Sequence, residues 1–251
     1  MTKPVQIPRF FVTSPSACPY LAGREERKIF TRLSGDDPGL LHDTLADMGF
    51  RRSQNIVYRP ACAGCNACTS VRVPVARFKC GKNLSRILRR NQDLRTTLAS
   101  AHATIEQYHL LRRYLRARHG DGGMAAMDAF DYQMMVEDSP ITTYLMEFRL
   151  PFDPPVADDP GRLLAACITD VTGDGLSMVY SFFDPKQDRR SLGTYMILRH
   201  IQLAQEMGLS YVYLGYWIEG SRKMHYKSRF QPLEILRDNN WETYTGPQDC
   251  G

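Results

Sequence analysis

Two apolar runs, "LLAACITDV" (163–171) and "LSMVYSFF" (176–183), stand either side of the four residues "TGDG". Runs rich in aliphatic and aromatic residues that flank a Gly/Asp turn predict a β-hairpin. After it, "SLGTYMILRHIQLAQEMG" (191–208) carries a helical pattern closed by Gly208, and "SYVYLGYWI" (210–218) reads as a further strand. Upstream, "TTYLMEFRL" (142–150) is strand-like, and "PFDPPVADDPGR" (151–162), dense in Pro and Asp, reads as an exposed loop. Strand, hairpin, helix and strand in one stretch predict an α/β (α+β) fold.

The preceding residues have a different texture. "DDPGLLHDTLADMGF" (36–50) predicts a short helix capped by Asp36 or Asp37, with Pro38 in its first turn and Leu41, Leu45 and Met48 on one face. "NIVYRP" and "SVRVPVARF" are β-prone pieces. "SRILRRNQDLRTTLA" (85–99), "EQYHLLRRYLRARHG" (106–120) and "AAMDAFDYQMMVED" (125–138) predict three helices. The expected organisation is a cysteine-bearing module over residues 1–80 and an α/β module over 81–251.

No apolar run in the 251 residues approaches a membrane span, and the N-terminus, "MTKPVQIPRFFVTSPSACPYL", breaks any signal-like run with prolines. We expect a cytoplasmic monomer without membrane contact. In a reducing compartment the closely spaced Cys62, Cys65 and Cys68 of "RPACAGCNACTSVR" point to metal or redox chemistry, or to packed, reduced thiols. The net charge of +5 permits a nucleic-acid partner.

Two motifs carry candidate chemistry. "DPKQDRRSLGT" opens the long helix, where free N–H groups suit a phosphate or carboxylate; otherwise Ser191 caps the helix and Arg189 and Arg190 are solvated. "YLGYWIEGSRKMHYKSRFQP" (213–232) interleaves Arg222, Lys223, Lys227 and Arg229 with Tyr213, Tyr216, Trp217 and Tyr226. That mixture suits the phosphates and bases of a single-stranded nucleic-acid end, or an amphipathic edge.

The order of C-terminal elements resembles the N-acetyltransferase-like (GNAT) fold, whose phosphate loop Arg190 and Gly193 match; Tyr195 replaces the small residue usual at the loop's last position, where its bulk is expected to block a CoA-like path. More specifically, "GYWIEGSRKMHYKSRFQP", "SMVYSFFDP", "SLGTYMILRHI" and "GFRRSQNIVYRPACAGC" resemble the arginyl-tRNA–protein transferase family over nearly the whole chain. "DGGMAAM", "MVEDSPITT" and the three spaced cysteines resemble its bacterial branch, the aspartate/glutamate leucyltransferases. The resemblance implies transfer of leucine from leucyl-tRNA to the α-amine of proteins beginning with Asp or Glu, marking them for N-end rule degradation.

On that reading, the donor's 3′ end meets Arg189, Arg190, Ser191, Leu192, Gly193 and Thr194. Asp170, Tyr180 and Asp184 are candidate catalytic groups, and Arg51, Arg52, Lys223, Tyr226 and Lys227 candidates for gripping the acceptor. Arg86, Arg89 and Arg90 form either a tRNA-backbone contact or a solvated helix face. Cys18 is the expected fourth metal ligand beside Cys62, Cys65 and Cys68, with Cys80 next, for zinc or an iron–sulfur cluster. The chemistry itself needs no cofactor, because the donor is an activated ester and the nucleophile an amine of pKa about 7.7–8.0. Three alternatives stay open: an arginyl donor, an acyl-CoA N-acyltransferase on the same fold, and a non-enzymatic RNA-binding module with structural zinc. Transfer from labelled leucyl-tRNA and arginyl-tRNA, together with CoA calorimetry, separates them.

Overall fold

The computed structural model describes residues 8–118, 123–152, 154, 159–219, 221 and 224–246. The chain starts with three two-residue strands, β1 (Phe11–Val12), β2 (Ser16–Ala17) and β3 (Glu25–Glu26), and the longer β4 (Lys28–Arg32). Helix α1 (Pro38–Asp47) follows, and Asp37 is its cap, accepting the Leu40 N–H at 2.8 Å. Leu45 of its apolar face is buried, whereas Met48 lies exposed. Strands β5 (Arg51–Ser53) and β6 (Ile56–Pro60) complete an antiparallel sheet in the order β1-β4-β6-β5.

The next strand, β7 (Thr69–Pro74), leaves that sheet. After it come α2 (Lys82–Arg90), β8 (Arg95–Ser100), α3 (Ile105–Arg118), α4 (Ala129–Glu137), β9 (Thr143–Leu150), β10 (Arg162–Val171), β11 (Gly175–Phe183), α5 (Leu192–Glu206), β12 (Tyr211–Trp217), β13 (Glu234–Arg237) and β14 (Asn240–Thr243). The main sheet runs β14-β13-β7-β12-β11-β10-β9-β8, with β7 paired to both β12 and β13. The boundary expected at residue 80 therefore does not separate two sheets, since a strand from the first segment lies inside the second.

The hairpin β10–β11, helix α5 and strand β12 form where the apolar patterning placed them, and β11 pairs with β12 in parallel. This is the N-acetyltransferase-like arrangement expected from the element order. Helix α5 buries Leu192, Tyr195, Met196, Ile197, Leu198 and Ile201 against one face of the sheet. On α3 and α4, Leu110, Leu111, Leu115, Tyr132 and Val136 join a second core with Ile168 and Phe182.

One expected element changes type halfway. The helix predicted over 85–99 stops at Arg90, and its second half is the edge strand β8, paired with β9 from Arg95 to Ser100. Fully buried Asn91 ends the helix by turning its amide to the Ile87 carbonyl at 2.9 Å. The adjacent threonines are β-branched and favour a pleated surface.

Candidate active site

The parallel pairing of β11 and β12 is short, running only from Gly175–Ser177 against Tyr211–Tyr213. Both strands then bulge. On β11, Met178 and Tyr180 oppose consecutive residues of β10, leaving Val179 extra; on β12, Leu214 is the extra residue between Tyr213 and Gly215. Bulges bend strands and free backbone groups from the ladder, so the two strands part.

Arg51 of β5 fills the gap. Its guanidinium donates to the Met178 carbonyl at 2.7 Å and reaches the Val179 carbonyl at 3.4 Å. On the other side, a Cβ added to Gly215 would stand 1.5 Å from Arg51 Nη1. Gly215 has φ +79°, a conformation glycine adopts without strain. Strand β12 is thus shaped around an arginine contributed by the N-terminal sheet.

A second cation stands beside it. Lys227 is 8% exposed and donates to the Tyr216 carbonyl at 2.5 Å. Burial first, and the Arg51 charge second, lower its pKa to about 7. The Tyr216 hydroxyl lies 2.9 Å from the Tyr58 carbonyl and 3.0 Å from that of Gly49, so its ring is fixed. Among the described residues neither Arg51 nor Lys227 has a carboxylate partner. Tyr226 lies at the protein surface and Lys223 outside the described residues. Arg51, Lys227, Tyr226 and Tyr180 all line one cavity of about 980 Å³, and so do Ser191, Leu192, Gly193 and Thr194. Ser191 to Thr194 of the sequence-predicted donor loop and two of the expected acceptor cations, Arg51 and Lys227, therefore share a single chamber. Burial raises the pKa of Tyr180, so its hydroxyl stays protonated at neutral pH.

Other expected site residues have structural partners. Arg52 grips Asp170 in a two-point pair, Nε–Oδ2 2.7 Å and Nη2–Oδ1 2.6 Å, with both side chains fully buried. Thr143 donates to Asp170 at 2.8 Å and Arg52 to the Gln54 carbonyl at 2.9 Å. Asp170 is thus spent on joining β10 to the N-terminal sheet, and Arg52 has no free donor face for an acceptor. Asp184 caps the turn that follows β11, accepting the Lys186 N–H at 3.0 Å.

The donor loop also differs from expectation. Arg190 forms a two-point pair with Asp93, both contacts 2.8 Å, so it is not free for a phosphate; Arg189 is exposed. Arg90 donates to the Arg189 carbonyl, and Asn91 to that of Arg190 at 2.9 Å, fastening the loop to the end of α2. Arg86 and Arg89 are solvent-exposed on that helix. Ser191 adopts the left-handed conformation at φ 54° and makes no side-chain cap, contrary to a plain capping role. Its carbonyl accepts the N–H groups of Thr194 and Tyr195, while those of Leu192 and Gly193 take no partner among the described residues. Tyr195 packs on Phe148 in the core, ring centres 5.6 Å apart, and so does not stand in the cavity as a block to CoA.

The cysteines converge without closing. Cys68 is pushed up to about 11, first by burial and then by the nearby thiols of Cys18, Cys62 and Cys65. No disulfide joins the described cysteines, and Cys80 instead meets Ser85 at 3.4 Å. Thiols suit zinc or iron, but among the described residues no group of three His, Cys, Asp or Glu is arranged to hold a metal ion. The four thiols as placed do not fit a bound metal. We expect Cys65→Ser to lower stability by about 1–3 kcal/mol and to leave turnover of the folded fraction unchanged. Thermal melts beside transfer assays check this, with elemental analysis of anaerobically purified protein; an inactive but fully folded variant would give these thiols a part in the reaction.

The family profile for the arginine-tRNA-protein transferase N terminus matches residues 16–86, and that for its C terminus residues 106–237. The chain belongs to this family. An aspartate/glutamate leucyltransferase of Parvibaculum lavamentivorans is 55% identical over 95% of this chain and 96% of its own length. One from Afipia carboxidovorans is 57% identical over 93% and 92%. Among solved structures, a GCN5-related glucosamine N-acetyltransferase region of a fungal multi-domain beta-N-acetylglucosaminidase matches at 10% identity and TM-score 0.41, covering 85% of this chain and 22% of that one. That likeness is too slight to add to the strand order. The sequence motifs mark Arg51 and Lys227 but not Gly215, whose place in an aromatic strand is the signal for it.

Proposed function

We propose that this protein transfers leucine from leucyl-tRNA to the α-amine of proteins beginning with Asp or Glu. The observation that carries the acceptor half is the pair of cations, Arg51 and Lys227, that line the cavity without a carboxylate partner. Unpaired buried charge is costly, so the chamber favours a ligand that brings a carboxylate. In the reaction the amine nitrogen attacks the leucyl ester carbonyl, the C–N bond forms, and the bond to the ribose oxygen breaks. The amine's proton leaves with that oxygen. Positioning can supply most of the acceleration, since effective molarities correspond to roughly 7–11 kcal/mol, and no cofactor is required.

For the donor, the free N–H groups of Leu192 and Gly193 face the role that Arg190 cannot fill, and exposed Arg189 supplies a loose phosphate contact. We place the protein in the cytoplasm, where acidic N-termini so marked enter degradation, and take the monomer as the working unit. Among the described residues no helix is long and apolar enough to cross a membrane.

The test is transfer to peptides beginning with Asp, Asn and Ala, with leucyl-tRNA as donor. Asp should exceed Asn by about 10-fold or more, because losing a hydrogen bond to a charged group costs about 1.5–3 kcal/mol. Equal rates would refute the acceptor assignment. The preference should also depend on pH. Lys227 is charged below its pKa of about 7 and neutral above it. The advantage of Asp over Asn should therefore shrink between pH 6.5 and 8.5, while Arg51 keeps part of it. Lys227→Arg, charged throughout, should flatten the trend.

A further inference from the structure

The cavity is chemically divided. Arg51, from the N-terminal sheet, and Lys227, from the turn after β12, mark one part of its lining. In another part, α3, α4 and the turn between them supply Tyr114, Met124, Met127 and Met135, β11 adds Tyr180 and Phe183, and Arg118 of α3 lies over the Phe183 ring at 5.6 Å. These side chains back onto buried Leu110, Leu111, Tyr132 and Phe182 or, for Phe183, onto the larger core, so the wall is continuous with packed protein. Tyr114 and Phe183 hold their rings 5.0 Å apart. Met178 and Met224 also line the cavity, but Met124, Met127 and Met135 gather on α4 and the turn before it. All three are only partly buried.

We propose that this methionine-lined wall is the pocket for the donor's leucyl side chain, and that it sets the choice of aminoacyl group. The inference rests on the reading of the protein as an aminoacyl-tRNA transferase and adds the part of the site that reads the amino acid. The wall lies beside the N-terminus of α5, where Ser191 to Thr194 line the same chamber. A leucyl ester held at that loop can extend its branched side chain toward the methionines and leave its carbonyl facing the acceptor side.

The chemistry of the wall selects in two ways. An unbranched thioether adapts to a branched aliphatic chain and excludes water from it. An arginyl chain would need a carboxylate at its tip, and the two that line the cavity are engaged and exposed. Asp131 accepts the Asp128 N–H in the cap of α4, and Asp188 accepts the Arg189 N–H. A guanidinium against the methionines would meet only these surface carboxylates, whose pairing with a cation in water is weak.

The experiment measures the full-length protein's transfer to an Asp-starting peptide from leucyl-, phenylalanyl- and arginyl-tRNA in competition. Met135→Glu and Met127→Glu should lower the leucyl-to-arginyl ratio by about 10-fold or more, since pocket changes of this kind span roughly 10–200-fold. Met127→Ala should raise phenylalanyl use relative to leucyl. Met127→Leu, close in volume, should keep the wild-type ratio. The Asp-to-Asn acceptor ratio should stay constant throughout. If the variants fold by circular dichroism and slow all three donors equally, or alter the acceptor ratio instead, the pocket lies elsewhere. Should the wild-type protein transfer no aminoacyl group at all, the functional reading fails before the pocket is tested. If it transfers but the methionine variants leave the donor ratio unchanged, the pocket alone is refuted.

Discussion

Gly215→Ala is expected to reduce the preference for acidic acceptors to the share that Lys227 supplies and to cut kcat/KM for an Asp-starting peptide by on the order of 10- to 150-fold. The new Cβ would fall 1.5 Å from Arg51 Nη1 and 2.3 Å from its Cζ. The guanidinium is held from the other side by the Met178 carbonyl, so it cannot move aside without breaking that contact. The residue's φ of +79° adds backbone strain of about 1–2 kcal/mol for any L side chain. The kinetic magnitude follows from losing a charged hydrogen bond, about 1.5–3 kcal/mol. Arg51→Lys should produce the same loss of discrimination at smaller cost to stability, because a lysine keeps the charge but not the two-donor fork. The decisive readout is the ratio of kcat/KM for Asp and Asn peptides in each variant. A ratio unchanged from wild type in folded Gly215→Ala would mean the acidic side chain is read away from the β11–β12 gap.

Arg51 and Arg52 also show where sequence reasoning was sufficient and where it was not. Both belong to "GFRRS" and look alike as acceptor cations, yet they lie on a strand whose successive side chains point to opposite faces. One turns its guanidinium into the β11–β12 gap and the other buries it against Asp170. Alternation could have separated them; which face held the site could not be read, because Asp170 lies 118 residues away in sequence. Arg190 repeats the lesson, taken by Asp93 across 97 residues. The hairpin, α5 and β12 were legible because their apolar periodicity is local. Strand β8 was not, since "RTTLAS" at a sheet edge lacks a buried stripe and follows a true helix without a glycine or proline break. Tyr195 was misplaced for a related reason: the spacing of the loop motif fixes a position on the helix but not the side it faces.

Asp170→Ala is expected to be the most destabilising single change among the site candidates, by about 3–5 kcal/mol, because it leaves the Arg52 guanidinium buried and unpaired. For a chain of this length each kcal/mol corresponds to roughly 2–4 °C in Tm, so the melt should fall by roughly 6–20 °C. The loss would come from both ends of the pair. Arg52 anchors β5, the strand that presents Arg51, and Asp170 sits on β10 opposite Ser177 and Thr143. Joint replacement by apolar residues, Arg52→Met with Asp170→Leu, should recover part of the stability, since no charge is then stranded. Recovery will be incomplete because the Thr143 hydroxyl and the Gln54 carbonyl each lose a partner. Kinetics separate this role from catalysis. Measured well below the melt, Asp170→Ala should retain kcat within a few-fold of wild type, whereas removal of a general base would typically cost 100-fold or more. A variant that melts like wild type yet fails to turn over would return Asp170 to the reacting centre and force the buried pair to be read as part of the chemistry.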